Sequence, residues 1–425
     1  MFGSLERATS IHSDPVRMMY AILRRAAVAG AMLALLLPVS PRAARRAQLP
    51  PGIGSAPPVD TARLARIDAV VRQAIAVGEL PGAVILIAHG DRITYRKAFG
   101  HRSVRPAREP MTVDTIFDLA SLTKVIATTP SVMALVEDGA MRLRDRVVRF
   151  LPGFERHGKE AVTIEHLLTH VSGLRPYLPL EEEFEGAGEA LRRVLDERLE
   201  APPGEAFIYS DLNFLLLGEI VRQVSGLPLD VFAERRVFAP LGMRDTSFGP
   251  GADVMDRIAP TEACAPLGWP CGGPDGVMLR GTVHDPTARR MGGVAGHAGL
   301  FGTADDLARF GAMLLNRGRA SLGSAVLSPL AVARMTRPST PVHLRDVRGL
   351  GWDIDSRYSS NRGDLFSPRS FGHTGFTGTS IWIDPETRTV VVFLSSRVHP
   401  DGGGNVVRLR GLVATLAAAA VGAVR

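Results

Sequence analysis

The feature that most constrains the fold is the placement of the strand-like segments, which lie near both ends of the chain. Residues 83–88 form a continuous apolar run, and residues 93–99 follow it after a short turn. Residues 379–383 alternate in polarity, and residues 389–394 are again a β-branched run. Such segments favour strands, whereas the long section between the two pairs has the apolar spacing of helices. This order predicts an α+β fold with an antiparallel sheet built from both ends and an inserted, mostly helical domain.

Helical segments also flank the predicted strands. An amphipathic segment of residues 60–77 precedes the first strand, and an apolar, alanine-rich segment of residues 406–424 follows the last one. Both are too short to cross a membrane comfortably, so we expect them to pack on the sheet. The sequence therefore predicts a sheet domain of residues 60–120 and 340–425, and a helical domain of residues 121–339.

The first 47 residues have the order of an export signal. Arg24 and Arg25 precede an apolar run of residues 26–37, and small residues follow before position 48. We expect residues 1–47 to be a signal peptide or an uncleaved N-terminal anchor, and residues 48–59, rich in Pro and Gly, to be a linker. The protein is then periplasmic or secreted, and the general secretory and twin-arginine routes both stay open.

The charge does not indicate a nucleic-acid-binding protein. The formal net charge is +7, but seven arginines and only two acidic residues lie within residues 1–47, so the rest of the chain is nearly balanced. No basic stripe interleaved with aromatic residues is present. The 425 residues, 45% of them hydrophobic, are enough for a large core.

The two cysteines, Cys264 and Cys271, lie in a segment rich in Pro and Gly. Their even number and close spacing favour a disulfide in an exported chain, with two free thiols as the alternative. Two cysteines alone make a poor metal site.

The strongest candidate for chemistry is the pair Ser121 and Lys124. These residues lie three apart at the predicted start of a helix, so they share a face near the positive end of the helix dipole. A serine hydroxyl becomes a good nucleophile when a neighbour takes its proton or stabilises its alkoxide. The alternative is a surface lysine on an ordinary helix.

The rarity of lysine supports the catalytic interpretation. Lysine occurs only at positions 97, 124 and 159, and the remaining 47 of the 50 basic residues are arginine. Arginine cannot lose its proton in a protein, whereas an amine can. A lysine beside the serine therefore fits proton transfer better than it fits general surface charge.

Two further motifs carry groups that could reach the same cleft. Tyr209 precedes Ser210 and Asp211 on a loop before an apolar helix, and close to an ammonium its phenolate could act as a general base. His373, Thr374 and Gly375 stand before the late strand pair, and glycine there lets a ligand backbone approach closely. A buried tyrosine and a structural histidine are the alternatives.

Two other patterns are weaker. His166 and His170 are four residues apart, which is metal-like spacing on a helix, but no third ligand accompanies them. The glycine-rich stretch 292–299 does not follow a strand in a βαβ unit, so it favours a close-packed or flexible cleft loop over a nucleotide site.

Taken together, Ser121-x-x-Lys124, Tyr209-Ser210-Asp211 and His373-Thr374-Gly375 resemble, in this order, the serine β-lactamase-related family. That family includes class C β-lactamases, D-alanyl-D-alanine carboxypeptidases, D-aminopeptidases and esterases. The stretches 167–174 and 299–307 resemble it as well, and the resemblance spans roughly residues 62–420. It implies a β-lactamase/transpeptidase-like fold.

The resemblance also implies a role for each matching residue. Ser121 would be the acylated nucleophile, Lys124 would help to take its proton and position the hydroxyl, and Tyr209 would be the base. Residues 373–376 would form the strand edge of the site, with the N–H groups of Phe376 and Ser121 as the oxyanion hole. No metal and no organic cofactor is implied.

Two departures from the family pattern affect the expected substrates. Asp211 stands at the position that asparagine occupies in the Y-x-N motif of class C β-lactamases. A carboxylate cannot donate a hydrogen bond as an amide does. His373 stands at the position that lysine occupies in their K-T-G motif. A histidine is largely neutral at pH 7, whereas a lysine is charged. We therefore expect an esterase-like serine hydrolase acting on ester or amide substrates. The alternatives are a D-amino-acid peptidase or carboxypeptidase of the cell wall, a weak β-lactamase, and a non-catalytic protein that binds peptidoglycan fragments.

Overall fold

The structure is a computed structural model, and it describes residues 59–180, 184–263, 276–320 and 323–421. The predicted signal segment, most of the linker and both members of the predicted Cys264–Cys271 disulfide lie outside these residues. Within them, no helix is both long enough and apolar enough to cross a membrane.

An eight-stranded antiparallel sheet forms the centre of the described chain, and its strands come from both ends of the sequence, as predicted. Its strand order is β3-β2-β1-β11-β10-β9-β8-β7, and a separate small sheet has the order β4-β6-β5. The strands are β1 Gly82–His89, β2 Arg92–Ser103, β3 Glu109–Pro110, β4 Phe117–Asp118, β5 Ser247–Phe248, β6 Leu300–Gly302, β7 Val347–Arg348, β8 Asp353–Asp355, β9 Phe371–Thr374, β10 Ser380–Asp384 and β11 Thr389–Ser395.

Strand β1 explains why its sequence is apolar at every position. It pairs with β2 on one side and β11 on the other, and all eight residues are buried. Because successive side chains point to opposite faces, Val84 and Leu86 enter the large core, whereas Ile85 and Ile87 enter a second core on the other face. Because both faces of the strand are buried, its sequence does not alternate between apolar and polar residues.

Helices cover both faces of the sheet and fill the section between the two sets of strands. The α-helices are α1 Thr61–Ala76, α2 Thr129–Glu137, α3 Ile164–Leu168, α4 Ala187–Asp196, α5 Asp211–Ser225, α6 Leu229–Ala233, α7 Ala239–Leu241, α8 Pro286–Arg290, α9 Ala304–Leu315, α10 Pro329–Thr336 and α11 Val407–Val421.

The first and last helices pack together on one face of the sheet, which confirms the predicted flanking arrangement. Asp60 caps α1, because its carboxylate accepts a hydrogen bond from the Arg63 N–H at 3.0 Å. Ile67 of α1 and Val413 of α11 belong to the same buried cluster as strand residue Ile85. On the opposite face, α9 lies against β1, β10 and β11.

One local prediction is wrong. The spacing of His166 and His170 predicts that both lie on one helix, but α3 ends at Leu168. His166 instead donates its backbone N–H to Thr163 in a capping box, and His170 has a positive φ of 58°. The two imidazoles therefore have separate structural roles. The predicted limits between the sheet domain and the helical domain stay a prediction.

Candidate active site

Ser121 lies on a tight turn that follows strand β4. Residues Ala120–Leu122 form a single 3-10 turn, and Ala120 has a positive φ of 47°. Non-glycine residues rarely adopt this conformation, and it persists where surrounding bonds hold it. The buried carboxylate of Asp118 provides such bonds, because it accepts the N–H of Ala120 at 2.9 Å and that of His284 at 2.7 Å.

Lys124 is fully buried directly behind the serine. Its Nζ lies 3.0 Å from Oγ of Ser121, 3.1 Å from the carbonyl oxygen of His297 and 2.6 Å from Oδ1 of Asp211. These three oxygens can accept the three protons of an ammonium group. The arrangement therefore favours charged Lys124 in the resting protein.

The charges around Lys124 support the same conclusion. Burial alone lowers the pKa of this amine, but the carboxylate of Asp211 and the phenol of Tyr209 outweigh it and raise the pKa above its ordinary value. A charged lysine has no lone pair with which to take the proton of Ser121. In the resting state Lys124 is thus suited to orient the serine and to stabilise an alkoxide.

Tyr209 is held by aromatic and cationic neighbours immediately before helix α5. The ring of His170 lies against its ring at a centroid distance of 4.4 Å, and Nδ1 of His170 accepts the backbone N–H of Ser210 at 3.1 Å. Nζ of Lys124 lies 5.1 Å from the Tyr209 ring centroid, and the guanidinium of Arg348 lies 5.7 Å from it. Two positive charges therefore lie close to the Tyr209 ring.

The stretch from His373 to Phe376 comes close to the turn that carries Ser121. His373 and Thr374 belong to β9, and the loop after them is bonded to the nucleophile turn by hydroxyl groups. Thr377 donates to the carbonyl of Asp118 at 2.8 Å, and Thr379 donates to that of Leu119 at 3.0 Å. These bonds join the loop after β9 to the residues immediately before Ser121.

Gly375 is required by this close approach. A Cβ atom on Gly375 would lie 2.1 Å from Oγ1 of Thr379 and 2.5 Å from the carbonyl oxygen of Leu119. Both distances are far below van der Waals contact, so a side chain would displace the strand end from the nucleophile turn.

Arg410, on α11, orients the peptide that follows Gly375. Its buried Nη2 donates to the carbonyl of Gly375 at 3.1 Å and to that of Thr379 at 2.8 Å. In a trans peptide the carbonyl and the next N–H point in opposite directions. The bond to the Gly375 carbonyl therefore directs the N–H of Phe376 away from Arg410, as a role in an oxyanion hole would require.

His373 is neutral and presents a lone pair. Its Nδ1 lies 2.8 Å from the carbonyl oxygen of Thr374, which can only accept, so the proton is on Nδ1 and Nε2 is an acceptor. Burial, followed by the charges of Arg348 and Lys124, holds the pKa of His373 well below its ordinary value. A positive charge on His373, which lysine would supply at this position, is thus disfavoured.

A large cavity of about 660 Å³ opens over these groups. Ser121, Tyr209 and Phe376 line it, and much of the remaining wall is apolar, including Leu178 and Leu215. Its volume is within the range of sites for small organic ligands.

Asp285 and His297 also line this cavity. The stretch 292–299, which contains His297, was expected to be a cleft loop, but neither side chain was singled out from the sequence. Nε2 of His297 lies 3.0 Å from Oδ1 of Asp285, which also caps α8 by accepting the Ala288 N–H at 2.7 Å. Although burial opposes ionisation, His297 keeps the pKa of Asp285 below its ordinary value. The Asp-Pro pair at 285–286 is a helix-start signal that could have drawn attention to Asp285.

These two residues and Asp211 could in principle hold a metal ion, because their ligand atoms lie within 4.8 Å of one another. The ammonium of Lys124, however, already lies 2.6 Å from Asp211 and supplies positive charge to this group. A divalent cation would have to bind next to that ammonium, so the residues fit a metal poorly.

Comparison with known proteins identifies the family. The sequence pattern of the family described as Beta-lactamase matches residues 67–415. The chain belongs to this family. Its members are serine hydrolases, and so is this protein.

Among relatives, a protein of Escherichia coli (strain K12) described as "Putative D-alanyl-D-alanine carboxypeptidase" is 34% identical over 371 residues, which are 79% of this chain and 83% of that protein. The solved structure of "EstCE1, a hydrolase with promiscuous acyltransferase activity" is 26% identical with a TM-score of 0.68, covering 84% of this chain and 99% of that one. A penicillin-binding protein homologue from Caulobacter crescentus, 21% identical with a TM-score of 0.67, covers 86% of this chain and 100% of its own. These similarities confirm the β-lactamase/transpeptidase-like fold.

The structure brings together all the residues that the motifs had singled out. Ser121, Tyr209, His373, Thr374 and Phe376 line a common small cavity. Lys124, Asp211 and Gly375 contact the same site through the bonds given above. Arg348 and Arg410, by contrast, have no motif of their own in the sequence.

Proposed function

We propose that this protein is an exported serine hydrolase that forms an acyl-enzyme on Ser121 and acts on ester or amide substrates. The observation that carries the proposal is the 3.0 Å contact between Nζ of Lys124 and Oγ of Ser121, within a group that also contains Asp211. A serine on a constrained turn, beside a buried ammonium and a tyrosine, has the groups that nucleophilic acyl transfer requires.

The reaction follows from the positions of these groups. Tyr209, the proposed general base, takes the proton of Ser121 while Oγ attacks the substrate carbonyl carbon. The resulting oxyanion accepts hydrogen bonds from the N–H groups of Ser121 and Phe376. The bond to the leaving group then breaks, and the proton held by Tyr209 passes to the leaving oxygen or nitrogen. Water repeats the sequence on the acyl-enzyme and releases the acid.

Lys124 stabilises negative charge during both steps. As an ammonium hydrogen-bonded to Oγ, it favours the alkoxide-like serine without taking its proton. Asp211 keeps this ammonium charged inside the protein. The role of Lys124 is therefore electrostatic, and Tyr209 is the group that transfers the proton.

The substrate preference we propose is esterase-like. The apolar wall of the 660 Å³ cavity suits an acyl or alkyl group, and a hydrolase with acyltransferase activity is among the similar structures. A second candidate is cleavage of a D-amino-acid peptide, because two relatives with 33–34% identity are each described as "Putative D-alanyl-D-alanine carboxypeptidase". Weak β-lactamase activity is a third.

Intact-protein mass spectrometry tests the acyl-enzyme. Wild-type protein is treated with a fluorophosphonate and, separately, with a penicillin, and Ser121→Ala and Ser131→Ala are treated in parallel. Ser131 is a matched control because it lies ten residues further along the same helical segment and its hydroxyl only bonds the Ala127 carbonyl. We expect a fluorophosphonate adduct in the wild type and in Ser131→Ala, and none in Ser121→Ala.

The penicillin result separates the substrate classes. A stable penicillin adduct on Ser121 would favour the peptidase candidate over the esterase. Lack of an adduct with either reagent would instead favour the non-catalytic alternative, a protein that retains the cleft for binding cell-wall fragments.

Export needs a separate measurement. Fractionation of cells that produce the full chain, followed by N-terminal sequencing, should find mature protein outside the cytoplasm with an N-terminus close to residue 48. Full-length protein in the cytoplasm would contradict the proposal for the N-terminal segment without affecting the one for Ser121.

A further inference from the structure

A second cavity, of about 160 Å³, lies next to the nucleophile on the side of strand β9. Ser121, Tyr209, Arg348, Asp353, His373 and Thr374 are among the residues that line it. Its volume is enough for one small functional group of a substrate whose reacting carbonyl is at Ser121. The chemistry of its wall determines which group that is.

Arg348 brings unused hydrogen-bond donors to this wall. Its side chain is 0% exposed, and Nη2 donates to the carbonyl of Gly351 at 2.9 Å. Nε has no hydrogen-bond partner among the described residues, and Nη1 lies 3.3 Å from the Asp353 carboxylate in an ion pair without a well-aligned hydrogen bond. Buried guanidinium N–H groups normally find acceptors, so a ligand atom that accepts hydrogen bonds would be stabilised here.

His373 brings an unused acceptor to the same wall. Because its Nδ1–H donates to the carbonyl of Thr374, its Nε2 carries a lone pair. This nitrogen is buried and has no partner among the described residues. A ligand atom with an N–H or O–H group would satisfy it, whereas a carboxylate oxygen would be repelled by the lone pair.

The positive charge of Arg348 in this wall is already compensated by Asp353. Nη1 of Arg348 lies 3.3 Å from Oδ1 of Asp353, and both side chains are buried. Asp353 in turn accepts hydrogen bonds from Ser356 at 2.6 Å and Ser359 at 2.9 Å, which hold it in place as the counter-charge of Arg348. A buried carboxylate ligand would thus lack a full counter-charge, at a considerable desolvation cost.

We propose that this cavity binds an uncharged carboxamide or peptide group of the substrate. The carbonyl oxygen accepts from Arg348 and the N–H donates to Nε2 of His373. The inference rests on the proposed function, because it assigns the group to a substrate that acylates Ser121. It makes His373 and Arg348 the residues that select amide-bearing substrates over carboxylate-bearing ones.

Two series of esters test this preference. Phenyl acetates with a meta carboxamide, carboxylate or methyl group vary the leaving group, and p-nitrophenyl esters of glutaramic acid, glutaric acid and hexanoic acid vary the acyl group. Each kcat/KM is divided by the rate constant for hydrolysis of the same ester by hydroxide, which corrects for intrinsic reactivity. In one series we expect the corrected value to be at least about tenfold higher for the carboxamide than for the carboxylate. The series that discriminates identifies which side of the substrate enters the cavity.

Variants of His373 provide the matched comparison. His373→Lys replaces the acceptor by a cation and should reverse the order in favour of the carboxylate, whereas His373→Gln keeps an acceptor and should retain the carboxamide preference. Equal rates for carboxamide and carboxylate in both series of the wild type, or an order unchanged by His373→Lys, would overturn the proposal.

A binding measurement separates this inference from the proposed function. Saturation-transfer NMR with benzamide, benzoate and toluene on the Ser121→Ala protein involves no turnover. We expect benzamide to bind more tightly than benzoate and toluene even if the wild type hydrolyses none of the esters. Equal or tighter binding of benzoate contradicts the amide site, whatever the outcome for the acyl-enzyme.

Discussion

Oδ1 of Asp211 lies 2.6 Å from Nζ of Lys124, and this is the contact that keeps a fully buried lysine charged behind Ser121. Asp211 occupies the first turn of α5, two residues after Tyr209. The same short segment therefore places both the proposed base and the counter-charge of the lysine. Asp211 stands at the asparagine position of the Y-x-N motif that this segment resembles, and its carboxylate brings a negative charge that an amide would not.

Replacing Asp211 by Asn tests what that charge does. The asparagine amide still places an oxygen near Lys124, but the negative charge, which is the largest influence raising the pKa of the amine, is lost. The effect of burial is then less opposed, so the pKa of Lys124 falls. Because activity requires the ammonium, the alkaline limb of the kcat/KM profile should move to lower pH. The free energy of unfolding should fall by about 1 to 3 kcal/mol, since a buried charge loses its counter-charge.

The measurement is a pH–rate profile with a small ester, together with denaturant unfolding. Asp253→Asn, at an exposed position, is the control and should change neither quantity. An unchanged alkaline limb in Asp211→Asn would show that Lys124 does not act as an ammonium.

Arg410 should affect turnover although it lies behind the strand. In Arg410→Met the carbonyls of Gly375 and Thr379 lose a donor, and the Phe376 N–H loses its fixed direction. We expect kcat to fall about 10- to 100-fold with little change in KM, because the oxyanion forms only during reaction. Arg410→Lys should recover part of the rate.

Steady-state kinetics and the rate of fluorophosphonate labelling check this prediction. Arg408→Met is the matched control, because Arg408 is exposed on the same helix. If Arg410→Met lost activity only in proportion to its unfolded fraction, the role of Arg410 would be stability alone.

The sequence was sufficient for the parts of the fold that have long, buried patterns. Strands β1 and β11 were predicted because they are buried on both faces and their sequences are long apolar runs, whereas their antiparallel pairing is known from the structure alone. Strands β7 and β8 have two and three residues, which is too short for a period to be visible. The Gly372 in β9 also weakens the strand pattern there.

The candidate site divides in the same way. Ser121, Lys124 and Tyr209 were identified because their motifs are local in sequence. His297 reaches Lys124 through a backbone carbonyl, which carries no side-chain signature at all. Arg348 is one of 47 arginines, and only its burial beside Tyr209 and His373 distinguishes it. Long-range packing, which a single sequence does not reveal, made these residues part of the site.

Gly375→Ala should damage both the fold and the site. The added methyl group would overlap Oγ1 of Thr379 and the Leu119 carbonyl, so the strand end must move away from Ser121. We expect a loss of about 1 to 3 kcal/mol in unfolding free energy and at least a tenfold loss in kcat/KM. Gly188→Ala is the control: it lies in α4 with no atom within 4 Å of its new Cβ, and should be neutral or stabilising by up to about 1 kcal/mol. Equal effects of the two substitutions on Tm would contradict the close approach.

The buried histidines predict how stability depends on pH. Burial holds the pKa of His170 and His373 well below the value of about 6.5 that they have in the unfolded chain. Between the two values the unfolded chain binds more protons than the folded one. The unfolding free energy is therefore highest, as far as these histidines are concerned, well above pH 6.5. It falls as the pH decreases through 6.5, by up to about 1.4 kcal/mol per pH unit for each histidine.

A difference between variants isolates this effect from other groups. Burial raises the pKa of Asp306 to about 6, and this carboxyl opposes the histidines by taking up a proton in the folded state. Comparing wild type with His373→Gln cancels its contribution, because Asp306 is present in both. Between pH 6.5 and 5.5 we expect the wild-type unfolding free energy to fall by about 1 kcal/mol more than that of His373→Gln, whereas the exposed His343→Gln should run parallel to wild type. Parallel curves for His373→Gln and wild type would mean that His373 takes up a proton in the folded protein, and its Nε2 would then be a donor in the small cavity.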